Sequence, residues 1–232
     1  MKQFSNLYIF GFSSALVLAV AAALSFTAMA LQDKQKKNIE IERQQNILAA
    51  LGVNTTKADV LSKFDQHIKE GIVIRADGSI VEGEAADGID LKREQAKPLN
   101  ERLLPLYLAQ EDGVVVIPVR GAGLWGPIWG NVALERDMNT IRGVTFDHAG
   151  ETPGLGSQIV TQPFQRQFLN KRLFDPANRF VSIKVEKPGT FTPNDHTVDG
   201  ISGGTITSKA LEAMMFNSLE PYQTFFSQHK SN

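Results

Sequence analysis

The chain has 232 residues, of which 42% are hydrophobic, and its 24 basic and 25 acidic side chains leave a formal net charge of -1. This composition suits one folded domain plus an appendage, and the balanced charge offers no basic surface that would favour nucleic acid as a partner. The absence of cysteine excludes disulfides, a thiol nucleophile, thiolate zinc and iron–sulfur clusters held by this chain alone, so redox chemistry requires a borrowed cofactor.

Residues 7–31 form a long apolar segment without a charged side chain. At about 1.5 Å of rise per residue, a helix of this length crosses the roughly 30 Å hydrocarbon core of a bilayer. The sequence therefore predicts a single transmembrane helix over 7–31, preceded by a cytoplasmic tail over 1–6. The alternative is a cleaved signal peptide, because residues 28–30 (Ala-Met-Ala) have the small-x-small form, but the apolar run exceeds a signal core of about 7 to 15 residues.

The charges beside this segment give a weak indication of its orientation. Lys2 precedes it, whereas Lys34, Lys36 and Lys37 follow it. Because basic residues favour the cytoplasmic side, these lysines taken alone place the C-terminal side in the cytoplasm. Long domains, however, cross membranes largely regardless of flanking charge.

After the span, a juxtamembrane helix is predicted over 32–51, where no proline or glycine occurs and apolar residues recur near helical spacing. The remainder, 52–232, alternates short β-like runs with turn signals and helical patterns, which indicates one mixed α+β domain. Strands are expected at 71–81 (a hairpin around Asp77-Gly78), 111–119, 131–137, 141–150 and 179–187, and helices at 61–68, 158–173 and after Thr205.

The segment 121–130 (GAGLWGPIWG) is expected to be a glycine-rich loop, because its four glycines and Pro127 surround both tryptophans of the chain. Glycines let the backbone approach a flat ligand, and indole rings supply apolar area with one polar handle. Considered alone, the segment slightly favours the other interpretation, a pair of core or membrane-interface tryptophans on tight turns.

The segment 148–156 (HAGETPGLG) is a second unusual loop, with a Pro-Gly turn next to Glu151 and Thr152. Such a loop can offer backbone N–H groups to a carbonyl-rich ring or a phosphate.

Two groups of residues invite comparison with metal sites. His148 and Glu151 are three residues apart, and Asp195, His196 and Asp199 lie close together further along the chain. No third ligand accompanies the first pair, and solvated loop residues explain both groups more simply, so no permanent metal is predicted.

Residues 198–211 (VDGISGGTITSKAL) crowd hydroxyl side chains and two glycines ahead of a predicted helix, which Pro221 ends or kinks. One face of that helix is apolar, formed by Leu211, Met214, Met215 and Leu219.

The start of this helix has two interpretations. Its exposed N–H groups and dipole favour an anion, and Gly203 and Gly204 remove side chains that would block a phosphate. Equally, Ser202 or Thr205 could be an ordinary N-cap after a glycine turn. The residues alone do not decide between them.

The apolar span together with the segments GLWGPIWG, ETPGLG and DGISGGT closely resembles, nearly end to end, the C subunit of the bacterial sodium-translocating NADH:quinone oxidoreductases. The G subunit of the Rnf complex is similar. The resemblance implies an α+β FMN-binding domain. In that family, a flavin transferase attaches FMN by a phosphoester to the last threonine of the motif Asp-x-x-Ser/Thr-Gly-Ala-Thr.

Compared position by position, Asp199, Ser202, Gly203 and Thr205 match this motif. The resemblance therefore implies that Thr205 carries a covalent FMN. Gly204 departs from the usual alanine; it is small enough to admit the phosphate but loosens the turn.

The hydroxyls of Thr207 and Ser208 are close enough in sequence to be alternative attachment points, and only the motif favours Thr205. The residues expected beside the phosphate are Ser202, Gly203 and Gly204.

The resemblance also implies roles for the other two segments. Trp125, Glu151, Thr152 and Leu155 are expected to line the isoalloxazine ring. Asp199 is expected to serve recognition by the transferase, through its metal-bound FAD donor, and not to take part in electron transfer.

As a member of this family the chain would be an electron relay in a multi-subunit complex: electrons from NADH reach its FMN through other subunits and pass on towards ubiquinone while sodium is pumped. The chain itself is expected to bind neither NADH nor quinone, because no G-x-G-x-x-G precedes a helix with a downstream acid. Its span has no ionisable residue for sodium, so the ion path belongs to partner subunits.

Flavin attachment in this family takes place outside the cytoplasmic membrane. The resemblance thus implies a single-pass protein of the bacterial inner membrane, with the residues after Leu31 on the periplasmic side, against the indication of the lysines. Its partners would be the other subunits, the flavin transferase and the bilayer.

Two alternatives stay open. One is the flavoprotein subunit of an Rnf-type ferredoxin:NAD oxidoreductase, with nearly the same chemistry in this chain. The other is a membrane-anchored, pilin-like structural protein, which the first 51 residues fit. Against the second, the span has no buried acid and the glycine-rich segments would have no purpose.

Overall fold

The computed structural model describes residues 5–190 and 192–230, so most of the predicted tail over 1–6 lies outside the described residues. The chain divides into two compact units, one up to Arg43 and the other from Gln44 onward.

One long helix, α1, runs from Asn6 to Ala50. It is long and apolar enough to cross a membrane, which agrees with the predicted span. No break separates the segments predicted as transmembrane (7–31) and juxtamembrane (32–51). The second unit begins within this helix, and the exact domain ranges stay a prediction.

The second unit has the mixed α+β architecture expected from the sequence. Its strands are β1 (Ile68–Ile74), β2 (Leu104–Ala109), β3 (Val115–Ala122), β4 (Pro127–Leu134), β5 (Ile141–His148), β6 (Lys184–Glu186) and β7 (Thr197–Asp199). Its helices are α2 (Val60–His67), α3 (Leu91–Gln95), α4 (Gln162–Gln165), α5 (Thr205–Leu219) and α6 (Gln223–His229). Short 3₁₀ turns lie at Ala86–Gly88, Leu99–Glu101, Gly156–Val160, Arg166–Phe168 and Glu220–Tyr222.

Strands β1 to β5 form one antiparallel sheet in chain order, and β6 pairs with β7 in parallel. Apolar cores cover both faces of the large sheet, as the alternation in β3 illustrates. Ile117 and Val119 belong to the core that includes α5, whereas Val116 belongs to the core that includes the end of α1. Successive side chains of a strand point to opposite faces, so a continuous apolar run is what such a strand requires.

Helix α5 packs on β3 and brings the predicted hydroxyl cluster to the sheet. The apolar face predicted for it is buried, and consists of Leu211, Met214, Met215 and Leu219. The helix ends at Leu219, before Pro221, as expected. A Cβ atom added at Gly121 of β3 would lie 2.7 Å from Met214 Cβ, so the glycine permits this close packing.

The helix predicted over 158–173 is wrong. The chain forms instead a 3₁₀ turn, the short helix α4 and a second 3₁₀ turn. Thr161 is extended, with ψ of 142°, and Pro163 follows in the first turn of α4, where its missing N–H is tolerated. The apolar spacing serves separate short turns, which bury Ile159, Phe164 and Phe168.

The loop predicted over 121–130 is also wrong in extent. Strand β3 continues to Ala122 and β4 begins at Pro127, so only residues 123–126 form a turn. Glycines obscured this hairpin in the sequence because they carry no side chain to show alternation. Gly130 lies within β4, and glycine is required there because a Cβ atom would collide with the carbonyl oxygen of Thr145 in β5.

The other predicted elements differ mainly in their limits. The helix expected at 61–68 is α2, displaced by one residue. The hairpin at 71–81 turns at Gly78, but its second arm is only a bridge between Ile74 and Ile80. The strand expected at 179–187 shortens to β6.

The packing of α5 leads to a paired stability prediction. Leu211→Ala removes a fully buried side chain and should lower the free energy of unfolding by about 2 to 5 kcal/mol, because a cavity remains. Ile206→Ala, on the same helix but exposed, should change it by less than about 0.5 kcal/mol. Guanidinium denaturation of the detergent-solubilised full chain, followed by tryptophan fluorescence, measures both; equal losses would contradict this packing.

Candidate functional site

The predicted attachment motif forms a tight turn between β7 and α5. Gly204 N donates to Ile201 O at 2.9 Å, and Gly203 adopts the left-handed conformation with φ of 71°. The first hydrogen bond of the helix runs from Ser208 N to Gly204 O at 2.9 Å. The N–H groups of the first three helical residues therefore precede the hydrogen-bond ladder and point towards the helix start, where an anion is favoured.

The N-capping interpretation of the motif is wrong. The N-cap residue is Gly204, and no side chain forms a cap hydrogen bond, so neither Ser202 nor Thr205 has this role.

The hydroxyl groups of the cluster differ sharply in accessibility. Thr205 and Ser202 are exposed, whereas Thr207 and Ser208 are buried. Thr207 Oγ1 donates to Glu151 Oε2 at 2.7 Å, and Ser208 Oγ accepts from Ile201 N at 3.0 Å. The two hydroxyls that sequence spacing left as competitors of Thr205 are thus occupied within the protein.

Glu151 joins the three sequence segments at one carboxylate. It is only 4% exposed. Its Oε2 accepts from Thr207 in α5, and its Oε1 accepts from Trp125 N in the turn between β3 and β4 at 3.1 Å. Its own N–H donates to His148 Nδ1 at the end of β5 at 3.2 Å. The side chain predicted to line the flavin ring therefore points into the protein.

Burial raises the pKa of the Glu151 carboxyl, but hydrogen bonds from Thr207 and from the backbone of Trp125 and Leu124, with the electrostatic attraction of His148, together outweigh burial and leave this pKa below its ordinary value. The carboxylate is consequently ionised at neutral pH. In the part of the chain that the structure describes, it forms no salt bridge.

Two glycines make room for this carboxylate. A Cβ atom at Gly123 would meet Glu151 Oε1, and one at Gly156 would meet both Glu151 Oε2 and Thr207 Oγ1. The glycines of the segments 121–130 and 148–156 are therefore needed partly for a buried polar link, besides any approach to a ligand.

Asp199, at the end of β7, is held through its backbone. Its N–H donates to Gln167 Oε1 at 2.8 Å, and its carbonyl accepts from Gln167 Nε2 at 3.3 Å. Its Oδ1 atom is buried and has no hydrogen-bond partner among residues 5–190 and 192–230. A buried acceptor without a partner fits a group that receives a ligand from outside the chain.

Four large apolar side chains remain exposed in the three segments that meet at Glu151, and we call them the Trp125 surface. Its side chains come from the β3–β4 turn, the loop after β5 and the start of α5. They are Leu124 (46% exposed), Trp125 (67%), Leu155 (41%) and Ile206 (60%). Leu155 lies over the motif, because a Cβ atom at Gly203 would be 2.7 Å from Leu155 Cδ2. Trp129 is outside this surface, half-buried in β4 and paired with Asp147.

These residues fit FMN. An exposed hydroxyl lies at a helix start suited to a phosphate. The exposed apolar side chains of the Trp125 surface, in segments that Glu151 joins to that helix start, suit a flat aromatic ring. Thr152 is exposed at the same loop, and its carbonyl accepts from Leu155 N at 3.1 Å.

Neither group that resembled a metal site forms one. No cluster of three or more potential ligands occurs within the described ranges. His148 Nδ1 accepts from Glu151 N, and His196 Nδ1 lies 2.6 Å from the carbonyl oxygen of Arg172.

Some site residues were not identified from the sequence. Leu124 and Ile206 could have been suspected as large apolar residues at a turn and a helix start. Gln167 gave no signal, because it reaches Asp199 across 32 residues from a segment wrongly predicted as a continuous helix. Thr207 was considered only as an attachment point, not as the partner of Glu151.

Comparison with known proteins defines the class. Residues 123–220 match the FMN-binding domain family, and this range includes the turn of residues 123–126, Glu151 and Thr205. The second unit of the chain therefore contains an FMN-binding domain.

Relatives and solved structures define the family. The C subunit of the Na+-translocating NADH-quinone reductase of Vibrio vulnificus (strain YJ016) is 34% identical over 215 residues, covering 85% of this chain and 84% of that protein. That of Vibrio anguillarum is 35% identical over 216 residues, with the same two shares. The crystal structure of the same kind of protein from Parabacteroides distasonis has a TM-score of 0.78 and 39% identity, covering 85% of this chain and 97% of that one. The structure of Shewanella oneidensis NqrC has a TM-score of 0.71 and 29% identity, with shares of 86% and 100%.

The chain belongs to the NqrC family, the C subunits of the Na+-translocating NADH-quinone reductases. The resemblance and the fold class inferred from the sequence are both confirmed.

The two motif glycines should respond differently to substitution. Gly203→Ala should lower the free energy of unfolding by about 1 to 2 kcal/mol, because its left-handed φ disfavours a side chain and Leu155 occupies the space. Gly204→Ala, at φ of -111°, requires the Ile201 side chain to shift, because the added Cβ atom would lie 2.8 Å from Ile201 Cγ2 and 3.1 Å from Ile201 Cβ, and should cost less than about 1 kcal/mol. Denaturation of the full chain in detergent, with Ser202→Ala as control, measures this; a larger loss at Gly204 would contradict the turn geometry.

Proposed function

We propose that the chain is the electron-carrying subunit of a Na+-pumping NADH:ubiquinone oxidoreductase, and that it relays electrons through FMN bound by a phosphoester to Thr205. The observation that carries the proposal is the contrast in the hydroxyl cluster: Thr205 is accessible at the start of α5, while Thr207 and Ser208 are buried and hydrogen-bonded. The membership of the chain in the NqrC family supports it.

Attachment requires an external donor, which we take to be FAD presented by a flavin transferase. The bond from Thr205 Oγ to the FMN phosphorus forms, the bond between that phosphorus and the bridging oxygen to AMP breaks, and AMP leaves. The proton of the threonine hydroxyl passes to a base of the transferase. Asp199 would serve recognition here, because its backbone is fixed by Gln167 and its buried Oδ1 lacks a partner within the described chain.

Once attached, FMN supplies the electron-transfer chemistry, and the residues of this chain position it. The N–H groups of the first turn of α5 would hold the phosphate, and Ser202, Gly203 and Gly204 would line the phosphate site on the side of the turn. Trp125, Thr152 and Leu155 are exposed and would contact the side of the ring that faces the protein. Glu151 would lie behind them rather than against the ring, since both of its oxygens are engaged.

The location follows from the proposed modification. We infer that α1 anchors the chain in the bacterial inner membrane and that the second unit lies on the periplasmic side, where the transferase acts. The other subunits of the complex would exchange electrons with the flavin at the exposed site. Similarity to NqrC proteins over 85% of the chain supports this complex rather than an Rnf-type one or a pilin-like structural role.

Attachment is tested by intact mass and by flavin fluorescence in denaturing gels, using full chain from a host with the transferase. The wild-type mass should exceed the polypeptide by one FMN less one water, and Thr205→Ala should lose both the added mass and the fluorescent band. Thr205→Ser, which keeps the hydroxyl, should retain flavin at least in part. If peptide mapping finds residues 199–209 unmodified in the wild type, the proposal is wrong.

The orientation is tested by protease treatment of intact spheroplasts. Residues after the span should be digested, together with a known periplasmic protein and unlike a known cytoplasmic one. Survival of the domain while the periplasmic marker is cut would place it in the cytoplasm, as the lysines after the span alone would indicate.

A further inference from the structure

The site contains a buried charge whose position the proposed function does not by itself require. Glu151 could have been exposed beside the flavin, as the sequence suggested, yet it is buried and its carboxylate accepts a hydrogen bond from Trp125 N. One oxygen holds the backbone of the β3–β4 turn and the other holds the first turn of α5. A glycine lies against each oxygen, and a Cβ atom added at that glycine would displace the oxygen.

We propose that Glu151 is a positioning residue with an electrostatic consequence: its carboxylate fixes the turn that carries Trp125 to the helix start that carries Thr205, and its negative charge lowers the reduction potential of FMN held there. This inference rests on the proposed function for its second half only. The mechanical half concerns contacts within the chain and holds without any flavin.

The mechanical half follows from connectivity. Trp125 lies 26 residues before Glu151 and Thr207 lies 56 residues after it, so the carboxylate joins parts of the chain that are far apart in sequence. The turn 123–126 has a single backbone link of its own, from Gly123 N to Gly126 O at 2.7 Å. Without the carboxylate, Trp125 N and the buried Thr207 Oγ1 lose their partner, and the turn is free to move relative to α5.

The electrostatic half follows from burial. The charge forms no salt bridge in the described part of the chain. Hydrogen bonds from Thr207 and from the backbone of Trp125 and Leu124, together with the electrostatic attraction of His148, hold the pKa of the carboxyl below its ordinary value. The adjacent His148 ring accepts a hydrogen bond from Glu151 N through Nδ1, so it does not offer a proton to the carboxylate at that atom. A fixed negative charge in a medium of low dielectric opposes the addition of an electron nearby, which lowers the potential of the acceptor.

The mechanical half is tested in flavin-free protein, in the Thr205→Ala background. Glu151→Ala, which removes both acceptor oxygens, should increase the rate of amide hydrogen exchange in the turn 123–126 and in the first turn of α5. Glu82→Ala, which removes an exposed carboxylate elsewhere, should leave both unchanged. If exchange in these two segments is the same in Glu151→Ala and in the control, Glu151 does not position them.

The electrostatic half is tested by redox titration of the flavin in the detergent-solubilised full chain. Glu151→Gln removes the charge and should shift the midpoint potential to a more positive value. Thr207→Val loosens the same link but keeps the charge, and Glu151→Asp keeps the charge on a shorter side chain. The midpoint potentials of both variants should therefore remain closer to that of the wild type. An unchanged potential in Glu151→Gln, or equal shifts in Glu151→Gln and Thr207→Val, would overturn the electrostatic role.

Flavin content, measured by intact mass before each titration, separates this inference from the proposed function. A wild-type chain without flavin refutes the attachment at Thr205 and leaves the exchange experiment as the test of Glu151. If Glu151→Gln alone fails to take up flavin while Glu151→Asp is loaded, the mechanical role is supported. The electrostatic role is then tested with Glu151→Asp and Thr207→Val, which both keep the charge. A midpoint potential above that of the wild type in both variants would refute this role.

Discussion

The geometry of the site depends on the hydrogen bonds that the Glu151 carboxylate accepts. The carboxylate is buried and reaches both the β3–β4 turn and the first turn of α5. Two turns and a helix start are otherwise mobile kinds of structure, and a site built on them needs an internal fixed point to keep its parts in register. A buried polar link is specific because any other arrangement leaves its donors and acceptors without partners.

The same helix explains why one threonine is accessible and another is not. Thr207, Ser208 and Leu211 lie on the buried face of α5, while Thr205 and Ile206 lie off it. Because a helix repeats every 3.6 residues, the face that buries Leu211 also buries a side chain four positions earlier but not one six positions earlier. The apolar pattern of α5 therefore contained the information that Thr207 is unsuitable for attachment, provided that the helix begins as early as Thr205.

Prediction from sequence succeeded where a segment has a regular apolar pattern, and it failed where tertiary contacts determine which local conformation a segment adopts. The apolar face of α5 and the valine-rich β3 are evident from composition and period. The segment 158–173 has helical spacing, but the packing of Phe164 and Phe168 selects short turns. The hairpin at 121–130 was hidden because its glycines are required by atoms from elsewhere in the chain, which no local pattern reveals.

The openness of the site bears on why a covalent bond would be useful there. Pockets that retain a ligand without a bond bury about 70 to 90% of its surface, whereas the side chains of the Trp125 surface are themselves 41 to 67% exposed. A ring held on such a surface is covered on one side, which suits electron exchange with a partner but gives little retention. A phosphoester at the helix start would remove the need for enclosure. The fixed carboxylate beneath would then decide the electrostatic environment that the ring experiences, since the open side faces solvent or a partner and the closed side faces Glu151.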